Sequence, residues 1–266
     1  MPSVVQSRLT DALWLAAHDS VKGKPSIGAW PLGVGLATGL LAELVHGRCL
    51  QLHRGELFRT ATAPDDPALG PLLIKMQTEE QSPPSPAKSV RAQARAPEDG
   101  RYAPVHGGRG WPRPTREGWS PSPVRKEDGH ASRGHQLRTW VSYLAYERRA
   151  EELVIDRLSG AGLVRQEQHQ RLLGGATVRF VPYDSVVAGT PASAINSAVQ
   201  RGDTLPESQL FLAGLFLATG LHHQALATLT SLERNVLSYQ LGRRLDPMSR
   251  ELLKAADAAV GEAAMR

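Results

Sequence analysis

The sequence contains a single cysteine, few aromatic residues and no recognisable catalytic motif, and each shortage excludes a class of protein. One cysteine, Cys49, cannot form an internal disulfide, which suits a reducing compartment. Aromatic residues are only 5% of the 266 residues, so the core depends on Leu, Ala and Val, which favours packed helices over a β-sandwich. The amino-terminal stretch lacks the apolar core of a signal peptide, and this predicts a cytoplasmic protein.

No glycine-rich phosphate loop, nucleophile elbow or pair of carboxylates in apolar surroundings occurs, so we predict that the protein is not an enzyme. His222 and His223 are adjacent rather than four residues apart, and their imidazoles therefore point to different sides of a helix. Because no further ligand follows nearby, we predict no metal site and no cofactor. Cys49 has no obvious histidine partner and is interpreted as a small core residue.

The sequence does contain one long apolar run, from Ile27 to Val45, with Glu43 as its only charge. The run is just long enough to cross a membrane, but a proline and several glycines dilute it. We interpret it as the central buried helix of the fold, since a soluble helix that is apolar nearly all round lies in a core. Pro31 is expected at its first position, and Gly47 is expected to end it in the left-handed conformation.

The other segments predict further helices and short strands around this central helix. Ser7 is the expected cap of the first helix, and residues 210–217 form a second core helix. The predicted fold is mainly α: a helical globule around a central apolar helix, with short β-hairpins and a disordered insert. Helices are predicted at 7–17, 67–76, 135–158 (one helix, or two broken near Tyr146), 191–201, 207–219, 222–241 and 246–264, and hairpins at 48–60 and 163–182.

Residues 79–134 differ in composition from the rest of the chain. Nine of the 19 prolines lie there, and ten Lys and Arg against seven Asp and Glu give this segment +3 of the total charge of +5. A segment without apolar periodicity cannot offset its ordering entropy, so we predict a disordered insert. Trp111 and Trp119 are its candidate anchors for a partner. The prediction is therefore one helical domain, formed by 1–78 and 135–266, with the insert between them.

Two groups of cations indicate an anionic ligand. Trp30 stands at the start of the central helix and follows Lys22 and Lys24, and a helix N-terminus attracts phosphate groups. Arg148 and Arg149 stand together on a later helix. For this second pair the alternative is ion pairing with the glutamates at 151 and 152 on a solvated helix face.

The turn of the second hairpin, residues 170–175, combines apolar and basic side chains. Arg171, Leu172 and Leu173 at an exposed turn are typical of shallow insertion into an anionic membrane. The alternative is that this turn docks on a neighbouring subunit, giving self-association, or on the insert.

Four stretches carry a resemblance to a known family: LTDALWLAAHDSVKGKP, GLLAELVHGRCLQL, LRTWVSYLAYERRAEELVIDRLSGAGLVRQE and RLLGGATVRFVPYD. With the helical C-terminal third, they resemble the Golgi phosphoprotein 3 family and look closest to its bacterial branch. The similarity covers about 1–78 and 135–245. It implies a mostly helical globule with a central apolar helix and a hairpin that projects toward the membrane. It also implies binding of phosphatidylinositol 4-phosphate.

The resemblance implies a lipid pocket made by a Trp and an Arg on the early helix and by two basic residues on the later one. Trp30 matches the Trp in type but lies about two residues late, and the Arg falls on Ala37. The later pair falls on Arg148 and Glu151, with Arg149 as a substitute for the second. Two of the four pocket positions therefore differ, and each charge-assisted contact of this kind is worth about 1.5–3 kcal/mol.

The sequence thus predicts a peripheral membrane protein that binds anionic phospholipid at the cytoplasmic face of a membrane, the Golgi membrane in a eukaryote. Two alternatives stay open. One is a soluble protein–protein adaptor on the same fold; the other is a winged-helix protein that binds nucleic acid. The second is disfavoured because the helix beside the hairpin carries acidic residues at 147, 151, 152 and 156 rather than a basic face.

Overall fold

The computed structural model describes residues 8–81, 134–170 and 176–265. Within these ranges the chain is mainly helical with short antiparallel strands, so the predicted fold class is confirmed. The helices are α1 (Leu9–Ala17), α2 (Ala29–His46), α3 (Gly70–Gln81), α4 (Leu137–Ala145), α5 (Arg149–Gly160), α6 (Ser185–Gln200), α7 (Glu207–Thr219), α8 (His222–Ala225), α9 (Ser231–Arg244) and α10 (Pro247–Ala264). The strands are β1 (Leu50–His53), β2 (Glu56–Arg59), β3 (His135–Gln136), β4 (Val164–Gln170) and β5 (Ala176–Pro182).

Helix α2 is the centre of the fold, as predicted. Every residue from Leu32 to Ala42 is buried, and α1, α4, α5, α7 and α10 pack around the helix. Its small residues allow this close approach: a Cβ added at Gly39 would lie 2.5 Å from Cγ2 of Thr10. Among the described helices α2 alone is long and apolar enough to cross a membrane, and 72% of it is buried within the protein.

Both ends of α2 differ from the prediction. The helix begins at Ala29, so Pro31 occupies the third position rather than the first. Proline is tolerated there because the N–H groups of the first turn have no partner within the helix. Gly47 has a φ of −72°, and the left-handed residue is Arg48, with a φ of 58°. Cys49 follows and is buried, as expected.

Several other boundaries were predicted wrongly. Helix α6 begins at residue 185 rather than 191, because the Asp184 carboxylate caps it by accepting from the Val186 N–H at 2.7 Å. The single helix predicted over 222–241 is two helices, α8 and α9, because Thr230 and Glu233 form a capping box that starts α9. Residues 135–136 form β3 rather than a helix start. The break near Tyr146 is present.

The strands form two separate sheets. In the first, β1 pairs with β2 and β2 with β3, all antiparallel. In the second, β4 and β5 form a hairpin whose register runs from Val164 opposite Pro182 to Gln170 opposite Ala176. Side chains from both sides of the 82–133 gap contribute to one hydrophobic core. The predicted cap Ser7 and nearly all of the predicted disordered insert lie outside the described residues, so both stay predictions.

Candidate functional site

The break between α4 and α5 determines where the two candidate arginines lie. Residues 146–148 form one 3-10 turn, and inside it Glu147 and Arg148 have φ values of 53° and 59°. Left-handed backbone at a non-glycine residue costs roughly 1–2 kcal/mol, so surrounding contacts must hold this turn. The turn places the Arg148 side chain at the N-terminus of α5.

Arg148 forms a two-pronged ion pair with Glu151. Its Nε donates to Oε2 at 2.7 Å and its Nη2 to Oε1 at 2.5 Å. The Glu151 side chain is only 3% exposed, whereas that of Arg148 is 62% exposed. Hydrogen bonding to Glu151 raises the pKa of Arg148 further above its usual range. The ion pairing that the sequence offered as the alternative role of Arg148 is therefore present. The Glu151 carboxylate is buried, however, whereas the sequence predicted a solvated helix face.

His18 connects this ion pair to the end of α1. Its Nε2 lies 3.9 Å from Oε1 of Glu151, and its ring stacks on Trp14 with centroids 3.8 Å apart. Burial lowers the pKa of His18, against the opposing effects of its hydrogen bond to the Trp14 carbonyl and of the Glu151 charge. The imidazole is therefore neutral at neutral pH, and Arg148 supplies the positive charge that balances Glu151.

Arg149 makes its contacts within the break itself. Its Nη1 donates to the Tyr143 carbonyl at 3.0 Å and its Nη2 to Glu147 at 2.7 Å. The guanidinium also lies over the Tyr143 ring, 4.4 Å from the centroid. These contacts hold the left-handed turn together and leave Arg149 less available to a ligand than Arg148.

Trp30 occupies the first turn of α2 but is directed toward α10. Its Nε1 donates to the Ala259 carbonyl at 3.1 Å, and its half-buried ring packs against the core. In the described part of the chain no hydrogen bond joins Trp30 to Arg148. Ala37, where the resemblance places an arginine, is completely buried.

Lys22 and Lys24 lie in the exposed loop between α1 and α2. Asp19 shapes this loop by accepting from the backbone N–H groups of Val21 and Lys22, both at 2.8 Å. Within the described ranges neither lysine forms an ion pair. A Cβ added at Gly23 would lie 2.6 Å from Cγ2 of Val181, so the loop rests directly on β5.

The break between α4 and α5 lies beside the N-terminal half of α2, the helix that carries Trp30. A Cβ added at Gly33, in the second turn of α2, would lie 3.0 Å from the Ala145 carbonyl oxygen, which shows that α2 touches the end of α4 there. His18 is next to the Arg148 pair and leads directly into the loop that carries the two lysines. The turn residues Arg171, Leu172 and Leu173 lie outside the described residues, and only the legs of their hairpin are seen.

A buried charge cluster is centred on Arg157 and was not predicted from the sequence. Its guanidinium donates to Asp11 at 2.8 Å, Glu43 at 2.9 Å and Asp66 at 2.7 Å, and it also contacts Thr10. Burial opposes the charged form of Arg157, but the attraction of these carboxylates outweighs it and raises the pKa. Burial also raises the pKa of Asp11. The available signal was a lone acid in each of two apolar segments, Asp11 and Glu43.

No group of three or more metal-ligating side chains is placed to hold an ion among the described residues. The His222 and His223 rings lie against each other, with centroids 4.0 Å apart. Of the five candidate headgroup residues, Arg148, Lys22 and Lys24 are exposed, and Trp30 and Arg149 are partly buried.

Comparison with known proteins identifies the fold. The family model of Golgi phosphoprotein 3 (GPP34) matches residues 9–105 and 112–266. No curated protein matches the sequence. Because the family model covers nearly the whole chain, including α2, the α4–α5 break and the β4–β5 hairpin, the protein belongs to the Golgi phosphoprotein 3 family.

Proposed function

We propose that the protein is a peripheral membrane protein that binds anionic phospholipid, with phosphatidylinositol 4-phosphate as the headgroup suggested by its family. The proposal is supported by the exposed Arg148 side chain, which lies near His18, and by the exposed loop with Lys22 and Lys24, which begins directly after His18 in the chain. Cations close to a bilayer surface are each attracted to anionic lipid by about 1 kcal/mol.

The same geometry supports weak discrimination among headgroups. Glu151 already balances the charge of Arg148, and the buried Ala37 supplies no cation. Binding would then depend on the summed charge of the lipid surface more than on one phosphate. Phosphatidylinositol 4-phosphate would be preferred over phosphatidylserine because it carries more charge, not because a closed pocket selects it.

Attachment at the surface agrees with the burial of α2, which leaves this helix no face for lipid. The hairpin turn with Arg171, Leu172 and Leu173 remains the proposed inserting element. Trp30 and Arg149 are secondary members of the proposed headgroup site, since both have internal partners. The proposed location is the cytoplasmic face of a membrane.

Sedimentation with vesicles tests this proposal. Vesicles of phosphatidylcholine alone, or with added phosphatidylserine or phosphatidylinositol 4-phosphate, would be compared at two salt concentrations. Lys22→Ala with Lys24→Ala should weaken binding to both anionic vesicles by about 2 kcal/mol in total, and added salt should reduce the difference. Arg243→Ala with Arg244→Ala removes the same charge from the exposed end of α9 and is the matched control.

Equal and weak retention of the wild-type protein on all three vesicle types would contradict the proposal and leave the adaptor function on the same fold. Nucleic-acid binding gains no support, because α5, next to β4, presents Glu152 and Asp156 to solvent.

A further inference from the structure

A group of exposed apolar side chains lies where β5 passes into α6. Tyr183 follows the strand directly, and Val186 and Val187 occupy the first turn of α6 after the Asp184 cap. Tyr183 and Val186 are 70% and 73% exposed, and Val187 and the strand residue Val178 are also exposed. A strand end and a helix start usually place polar residues at such positions, so the exposed Tyr183, Val186 and Val187 need a reason.

The α1–α2 loop adds a fourth apolar side chain near the same junction. A Cβ added at Gly23 would lie 2.6 Å from Cγ2 of Val181 and 2.9 Å from the Phe180 carbonyl oxygen, so Gly23 packs closely against β5. Val21 stands two residues before this contact, and Tyr183 stands two residues after it on the strand. Val21, which is 78% exposed, therefore belongs to a loop that touches β5 just before the strand ends and Tyr183 follows.

We define this group as the apolar ledge: Val21, Tyr183, Val186 and Val187. Large apolar side chains that are exposed number thirteen in the described part of the chain, and these four stand on three segments that come together at the C-terminal end of β5. Single exposed apolar residues need no explanation, whereas a group of them marks a contact surface.

The charges around the ledge indicate what covers it. Lys22 and Lys24 alternate with Val21 and Gly23, and their side chains form no ion pair among the described residues. The two acids nearby, Asp19 and Asp184, turn their carboxylates to local backbone N–H groups. Exposed lysines without a close ion pair, next to valines and a tyrosine, are the pattern of a surface that sits in the headgroup region of an anionic bilayer.

We propose that the apolar ledge is a membrane-docking surface that sits in the interface of an anionic phospholipid bilayer, beside the headgroup site. The inference rests on the proposed function, which it extends by naming a contact face outside the hairpin turn. In the docked protein the valines and Tyr183 enter the interface, and the two lysines contact lipid phosphates.

Site-specific fluorescence tests the position of this face. The native thiol of Cys49 is 2% exposed, and burial raises its pKa, so a cysteine introduced at the surface can be labelled selectively. An environment-sensitive dye would be attached to Val186→Cys, and the matched control is Leu232→Cys on α9, where the native side chain is 74% exposed. The probes are vesicles of phosphatidylcholine with phosphatidylserine, with and without a quencher on the acyl chains.

The dye at 186 should brighten with anionic vesicles and be quenched from the acyl chains, while the dye at 232 should not respond. Val21→Ser with Val186→Ser should weaken vesicle binding about tenfold, with an unchanged melting temperature, and Leu232→Ser should have no effect. If the wild-type protein sediments with vesicles but the fluorescence of the dye at 186 does not change, the ledge inference is wrong and the proposed function stands.

Two further outcomes would also overturn the inference. Brightening at 186 that follows protein concentration in the absence of lipid would mean that a second copy of the chain covers the ledge. Failure of the wild-type protein to sediment with any anionic vesicle would remove the proposed function, and the ledge assignment with it.

Discussion

Helix α5 carries an arginine near each end, and the two are held in different ways. Arg157, near the C-terminal end, has a side chain that is 10% exposed and is surrounded by Asp11, Glu43 and Asp66. Arg148, at the N-terminal end, has one carboxylate partner and keeps most of its guanidinium in water. The residue type is the same, but the first arginine is available only to the protein, whereas the second is also available to a ligand.

This difference separates the structural end of α5 from the end where the headgroup site is proposed. The Arg157 cluster joins α1, α2, α5 and the segment before α3, and so it holds the interior of the fold together. The Arg148 pair joins α5 to the buried His18, which precedes the loop with the two lysines. A ligand could exchange with Glu151 at the second site without unfolding the first.

The largest expected effect is at Arg157. Arg157→Met should lower the free energy of unfolding by about 3–5 kcal/mol, because it leaves buried carboxylates without the cation that balances them. Urea unfolding followed by circular dichroism measures this. Arg157→Lys is the control that keeps the charge but loses the planar fork, and it should recover part of the loss. A loss below about 1 kcal/mol for the methionine variant would contradict the structural role.

A smaller effect is expected at Arg148. Arg148→Met should cost about 1–2 kcal/mol, since the exposed guanidinium is screened by water while Glu151 stays buried without its partner. A double-mutant cycle with Glu151→Gln sharpens the comparison. The double variant should lose less stability than the two single changes together, because the second change removes the unpaired charge. Strict additivity in the same urea titrations would show that the pair contributes no coupling.

The two arginines also differ in how far the sequence could predict them. The central helix was predictable because burial of α2 follows from its own composition. The Arg157 cluster was not, because its partners lie 146, 114 and 91 residues away along the chain. Local spacing did predict the pairing of Arg148 with Glu151. It did not predict the burial of Glu151, which depends on His18 and on the left-handed turn at Glu147 and Arg148.

The smallest expected effect concerns pH, and its sign should differ between the two regions. The pKa of His18 is lowered by burial in the native state, so the unfolded chain binds more protons as the pH falls below about 6.5. Acidification through this range should therefore lower the free energy of unfolding. The pKa of Asp11 is raised by burial, so there the native state binds more protons in the acid range. At still lower pH the contribution of Asp11 should therefore be stabilising.

Urea titrations across this pH range, with His18→Asn and Asp11→Asn as variants, measure the two contributions separately. Asn at position 18 retains a side-chain donor for the Trp14 carbonyl but has no proton to gain. It should therefore flatten the loss of stability below about pH 6.5, by no more than about 1.4 kcal/mol per pH unit. Asp11→Asn should leave that range unchanged and remove the opposing trend at lower pH. If His18→Asn kept the full wild-type slope, the buried imidazole next to Glu151 would not be the group that responds, and the proposed difference between the two ends of α5 would lose its electrostatic basis.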